Sequence, residues 1–119
     1  MEYHSNITEI GIMAKDFMRE KMLILFGDNA PAELKEMSIC HPAKPMLQDV
    51  KVGDEFILGN QTYRVTAVGD EANETLKTMG HCTLSFYGKD EVQLPGHIEL
   101  QGEAMPDPEI GMIFKIIHK

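Results

Sequence analysis

The apolar residues of this chain come in runs of strand length, and nearly every run stops at a turn former. Lys21 to Phe26 (Lys-Met-Leu-Ile-Leu-Phe) is almost continuously apolar and ends at Gly27-Asp28-Asn29, the pattern of a buried strand. No run approaches the ~18 residues of a membrane-spanning helix. The stretch 55–58, Gly59-Asn60 and 61–68 reads as a hairpin, because a two-residue Gly-Asn loop suits the primed turns. Its second arm alternates, with Tyr63, Val65 and Ala67 on one face and Arg64, Thr66 and Val68 on the other. Further strands are predicted over 3–12 (with Gly11 closing it), 37–42, 81–87, 92–94, 98–101 and 112–117. Helical signals are few. The best covers 70–79, with Asp70 as cap, Ala72, Leu76 and Met79 on one stripe, and Gly80 just past the end. Shorter helical turns fit 14–20 and 30–36, where Pro31 suits a first turn. Eight or nine short strands with one or two short helices predict an all-β fold, a small β-barrel, formed as a single domain over 1–119.

An internal echo supports a two-fold arrangement. Val52-Gly53-Asp54-Glu55-Phe56-Ile57-Leu58 and Ile110-Gly111-Met112-Ile113-Phe114-Lys115-Ile116 share the pattern aliphatic-Gly-x-x-Phe-x-aliphatic. Each follows a strand, a loop and another strand, so two related halves would suit a barrel.

Charge narrows the function. Eleven basic residues against nineteen acidic ones give a net charge of −8, the reverse of a nucleic-acid footprint. The start, Met-Glu-Tyr-His-Ser-Asn, has no apolar signal-peptide core, and two cysteines are too few for a disulfide scaffold. Free thiols in a reducing cytoplasm are expected.

The chemistry centres on Met37-Ser38-Ile39-Cys40-His41-Pro42. Pro42 has no backbone donor, so pairing breaks there and His41 is left at a strand end, on the lip of the sheet. A histidine so held is a candidate nucleophile or proton carrier, or simply a packing residue. His81, just after Gly80, opens another strand and can share that rim, either as a partner of His41 or as a helix C-terminal cap. Cys40-His41 and His81-Cys82 invite a zinc reading. Neighbours on a strand point to opposite faces, however, so each pair supplies at most one ligand to a shared site, and zinc usually takes four. No metal and no cofactor are expected. His97, after Pro95-Gly96, is expected to be exposed in a turn, and His4 and His118 to be terminal and incidental. No phosphate-cradling glycine loop and no nucleophile elbow occur.

Several stretches together resemble the glucitol/sorbitol-specific EIIA component of the bacterial phosphoenolpyruvate-dependent sugar phosphotransferase system. They are Met22-Leu23-Ile24-Leu25-Phe26, Ala30-Pro31-Ala32-Glu33-Leu34, the His41 strand, Tyr63 to Gly69, Gly80 to Phe86, and Leu94-Pro95-Gly96. The resemblance implies a β-barrel phosphocarrier in the cytoplasm, taking phosphate from HPr on one histidine. It passes the phosphate to the EIIB part of the EIIB/EIIC sorbitol permease, with no nucleic-acid partner. The family's phosphorylated histidine falls on His41, and its Gly-His strand start falls on His81, an assisting residue at most. By analogy with other EIIA proteins, Nε2 is expected to carry the phosphate. Ser38, His81 or backbone donors near Ala43 would assist. A non-catalytic acidic barrel that only binds a partner is the competing reading.

Overall fold

The structure, a computed structural model, describes residues 2–42, 44–46 and 48–119. Nine strands and three short helices run in the order β1 (Glu2–Asn6), β2 (Glu9–Ile10), α1 (Ala14–Met18), β3 (Met22–Gly27), α2 (Ala32–Lys35), β4 (Ile39–His41), β5 (Glu55–Leu58), β6 (Gln61–Val68), α3 (Ala72–Met79), β7 (Cys82–Ser85), β8 (His97–Gln101) and β9 (Ile113–Ile117). All nine strands join one sheet, in the spatial order β1-β9-β5-β6-β8-β7-β3-β4-β2. Its two edges, β1 and β2, are consecutive in the chain. The Ile7 N–H bonds Met112 O beside β9, and the next amide, Thr8 N–H, bonds Cys40 O in β4, both at 2.9 Å. One bent segment therefore pairs with both ends of the sheet and curls it into a barrel-like form.

The inner face is apolar. Leu23, Leu25, Ile39, Phe56, Tyr63, Val65, Cys82, Leu84, Ile98, Leu100, Phe114 and Ile116 are each at most 1% exposed. In β5 and β6 they alternate with less buried positions, as a half-buried sheet requires. The 61–68 alternation holds, since Tyr63, Val65 and Ala67 are all buried.

The two-fold echo is real at the level of hydrogen bonds. β3 lies antiparallel to β7 and β5 to β9, while β3–β4 and β7–β8 are parallel. Swapping these partners returns the same strand order, provided β1–β2 is paired with β6. That pairing holds in detail. Gly111 N–H bonds Ile7 O and Ile7 N–H bonds Met112 O; Gly53 N–H bonds Val65 O and Val65 N–H bonds Asp54 O. Both glycines take a left-handed backbone, φ 91° and 97°, which is why the repeated pattern keeps Gly there. β6 carries an irregularity between Val65 and Ala67, where it passes from β5 to β8. It matches the break between β1 and β2. The opening strand predicted as one piece over 3–12 is thus two, because its middle changes partners.

Other expectations shift. Val92 to Leu94 forms no strand. Segment 86–96 instead lies along the outer face of β8, where Lys89 N–H bonds Glu99 Oε1 and Thr66 Oγ1 donates to Lys89 O. Asp70 does not cap α3; Glu71 holds the cap position and makes no side-chain bond there. Gly80 does close α3, with φ 65° and its N–H on Leu76 O. Met79, expected on the buried stripe, is 42% exposed at the helix end. Among the described residues no helix is long and apolar enough to cross a membrane.

Candidate functional site

His41 ends β4, directly opposite Gly27 of β3 in a parallel pair. It shares the face of Ile39, two residues earlier, and Ile39 is wholly buried in the barrel. The imidazole accordingly enters the mouth of the barrel, where its ring meets the Phe114 ring edge-on at 5.4 Å between centroids. Only 1% of the residue is exposed.

Both ring nitrogens have polar neighbours. Nε2 is 2.8 Å from the carbonyl oxygen of Gly80. Nδ1 is 3.3 Å from Ser5 Oγ and 3.2 Å from Pro42 O. A carbonyl oxygen only accepts, so the short Gly80 contact requires hydrogen on Nε2. The opposite tautomer would set two lone pairs against each other at 2.8 Å. Of the two carbonyl contacts the Gly80 one is the shorter, which favours the neutral ring's hydrogen on Nε2 and leaves Nδ1 against the Ser5 hydroxyl and the Pro42 carbonyl. Burial pushes the His41 pKa down. The Gly80 and Pro42 carbonyls and the charge of Asp28 work the other way without cancelling it, and Lys44 adds to the lowering. The ring is thus kept uncharged at neutral pH, the state a nucleophilic imidazole needs.

The walls differ on the two sides of the ring. The Nε2 side is the α3 terminus. A Cβ built on Gly80 would lie 3.0 Å from Gly27 N, 3.1 Å from Gly27 Cα and 3.2 Å from His41 Cε1. Only glycine brings this carbonyl to the ring. The Nδ1 side is the chain just after β4, tied to β1 by side chains: Ser5 Oγ donates to Pro42 O at 3.3 Å, and Lys44 N–H reaches Tyr3 Oη at 3.4 Å.

His81 lies on the same rim but on the other face of the sheet. It precedes β7 rather than opening it, because pairing begins at Cys82, whose side chain points inward. The His81 ring stacks on Phe26, centroids 4.4 Å apart, and its Nδ1 is 3.0 Å from Leu25 O. Its link to His41 runs through backbone, since Gly80 is its immediate neighbour. Ser38 cannot assist as expected: its hydroxyl donates to Leu34 O at 2.7 Å, at the end of α2. Backbone donors at Ala43 lie outside the described residues. His97 is not exposed in a turn. It starts β8 and is 7% exposed, with its N–H on Leu94 O and its carbonyl on Gly69 N–H. Burial lowers its pKa against the pull of Glu99, and its Nδ1 has no partner among the described residues. His118 is not incidental either, for its Nδ1 lies 2.9 Å from the buried Asp54 carboxylate.

Both thiols are fully buried, and burial raises the pKa of each. Among the described residues no three His, Cys, Asp or Glu side chains gather as metal ligands. The residues missed by sequence reasoning are Ser5 and the Gly80 carbonyl. Ser5 had a signal: under the internal two-fold it occupies the place of Tyr63, whose hydroxyl donates to Ala104 O at 2.5 Å. The same symmetry sets Leu100 where His41 stands, so the second half of the barrel has no imidazole at that position.

Comparison with known proteins identifies the family and the fold. Residues 2–115 match the family described as PTS system glucitol/sorbitol-specific IIA component. The PTS system glucitol/sorbitol-specific EIIA components of Shigella flexneri and Escherichia coli (strain K12) are each 37% identical over 113 residues, 95% of this chain and 92% of theirs. The crystal structure of a PTS system IIA component from Enterococcus faecalis V583 superposes with a TM-score of 0.85 at 29% identity, covering 98% of this chain and all of that one.

Proposed function

We propose that this chain, which belongs to the PTS glucitol/sorbitol-specific IIA family and is a component of that phosphotransferase system, carries the phosphoryl group on His41. One observation supports the assignment above others. His41 combines an uncharged imidazole, a ring nitrogen held by a backbone carbonyl, and a place at the end of its strand. A hydrogen bond that fixes one nitrogen selects the tautomer and stabilises the positive charge that develops when the other is phosphorylated.

The phosphate donor in this reading is phospho-HPr, and the acceptor is the EIIB domain of the glucitol/sorbitol permease, with the transfer taking place in the cytoplasm. Phosphoryl transfer depends on positioning and charge stabilisation more than on covalent assistance. The chain's own contributions are the Gly80 carbonyl, the Ser5 hydroxyl and the nearby Lys44 ammonium, whose field His41 feels. His81 acts as a positioning residue: its stack on Phe26 and its contact with Leu25 O hold the Gly80–His81 backbone against β3.

The test is to incubate the protein with phosphoenolpyruvate, enzyme I and HPr and to record its intact mass. Membranes bearing the sorbitol permease are then added with sorbitol. One acid-labile phosphate per chain that is discharged only with permease and sugar is the expected result. A wild-type chain that never takes up phosphate, with both donors active, would favour the non-catalytic binding module.

A further inference from the structure

The internal two-fold gives the barrel a second mouth, and the geometry points to a binding site there for a small hydroxylated organic phosphate. The site is separate from His41 and does not rest on the carrier reading. At the mouth already described, the His41 imidazole fills the space and packs on Phe114. At the opposite mouth the same position holds Leu100, wholly buried, and a cavity of about 130 Å³ lies between Lys21, Tyr63, Phe86 and the stretch 102–105.

Backbone and rings shape this cavity. A Cβ on Gly102 would run into the Tyr63 ring, so only glycine lets the chain pass over that ring. The Tyr63 and Phe86 rings meet edge to face, centroids 4.9 Å apart, and form an apolar side.

Lys21 supplies the charge. Under the two-fold it takes the place of Gly80, just past the helix that leads into the strand, α1 here and α3 there. Both residues have a left-handed backbone, φ 59° and 65°. Lys21 is the one residue other than glycine with positive φ among the described residues. Glycine would serve the turn better, and a side chain kept in such a conformation points to a use for it. The Lys21 ammonium stands 5.2 Å from the centroid of the half-exposed Tyr87 ring, next to Phe86, and the Lys89 ammonium stands at the same distance. Neither lysine makes an ion pair among the described residues.

The chemistry of the ligand follows from these walls. Two ammoniums suit a phosphate monoester, which carries about −1.5 to −2 at neutral pH, better than a singly charged carboxylate. Tyr63 Oη gives its hydrogen to Ala104 O and so can only accept, and an ionised Glu103 accepts as well. The body of the ligand therefore brings the donors, as hydroxyls, and lays its carbon face on Phe86. A polyol phosphate has both parts.

Titration of nitrogen-15-labelled protein with glucitol 6-phosphate, followed by NMR, tests this, with inorganic phosphate and glucitol as separate arms. Saturable shifts of the amides of Lys21, Phe86, Tyr87 and the stretch 102–105 are expected, at lower concentration with glucitol 6-phosphate than with either part alone. Lys21→Gly should weaken binding about ten- to hundredfold, the scale of one charge-assisted hydrogen bond, while its urea midpoint stays at or above that of the parent. Lys89→Gln should weaken binding to a similar degree, and decides should Lys21→Gly not fold. The inference is overturned by no saturable shift in the millimolar range, by shifts confined to other parts of the barrel, by either part alone binding as tightly as the whole, or by parent-like binding in a folded lysine variant. His41 takes no part in this titration, so such a failure leaves the carrier reading standing.

Discussion

Gly80→Ala puts the local geometry to a quantitative test. Gly80 has φ 65°, a left-handed conformation that costs a residue with a Cβ about 1–2 kcal/mol. The added carbon would also meet Gly27 N at 3.0 Å and Gly27 Cα at 3.1 Å. These are backbone atoms of a central strand and cannot swing aside, so crowding of this kind adds about 1–2 kcal/mol. The sum, roughly 2–4 kcal/mol, is a large share of the ~5–15 kcal/mol by which a domain is stable. Urea denaturation should show a midpoint lower by about 1–2 M with the slope unchanged, and the Tm should fall by roughly 8–16 °C. Gly96→Ala is the control, because a Cβ there meets nothing within 4 Å and its φ is not left-handed. That variant should lie within about 1 kcal/mol of the parent, on the stabilising side. A Gly80→Ala protein as stable as Gly96→Ala would refute the packing described for the His41 wall.

Three more expectations follow from the same geometry. Burial alone would raise the Asp54 pKa, but the N–H groups of Lys119 and Lys51 and the His118 ring hold it below the usual carboxylate value. The stability it provides is therefore present above the unfolded pKa of about 3.9 and is lost as pH falls through the folded value. Asp54→Asn should cost about 2 kcal/mol at pH 7, and its deficit in urea melts should shrink as pH drops below about 4. Because burial lowers the His41 pKa, phosphoryl uptake measured against pH should reach its half-fall only below about pH 6.5, the ordinary histidine value; a half-fall at pH 6.5 or higher would contradict that environment. The stability side has the same sign: protonation of the unfolded chain below about 6.5 favours unfolding, and His41→Leu should relieve that loss.

How much of this was legible follows from which interactions are local. Strands set by continuous or alternating apolar runs, such as Met22–Gly27 and Gln61–Val68, were read from neighbours in sequence. So was the repeat around Gly53 and Gly111, because a left-handed glycine before a Phe-centred strand leaves a short signature. His41 at the end of a three-residue strand was likewise foreseen from Pro42. The break between β1 and β2 was not, since nothing within 3–12 reveals that Ile7 and Thr8 bond chains on opposite edges of the sheet. Ser5 escaped notice for the same reason, lying 36 residues from His41. His97 was misread because a histidine after Pro-Gly looks like a turn residue until Gly69 and Leu94 are seen closing over it.

The central claim is that His41 holds the phosphate, and His41→Leu tests it with least ambiguity. Leucine is what the symmetric half carries at Leu100, buried in the same kind of setting, so this variant should keep the fold where a smaller residue would leave a cavity. The measurement is phosphohistidine mapping of the wild type and of folded His41→Leu after incubation with phosphoenolpyruvate, enzyme I and HPr. A single phosphate on the peptide containing His41, absent from His41→Leu, is the expected result. Phosphate persisting in folded His41→Leu would contradict it and move the site to another histidine of the chain.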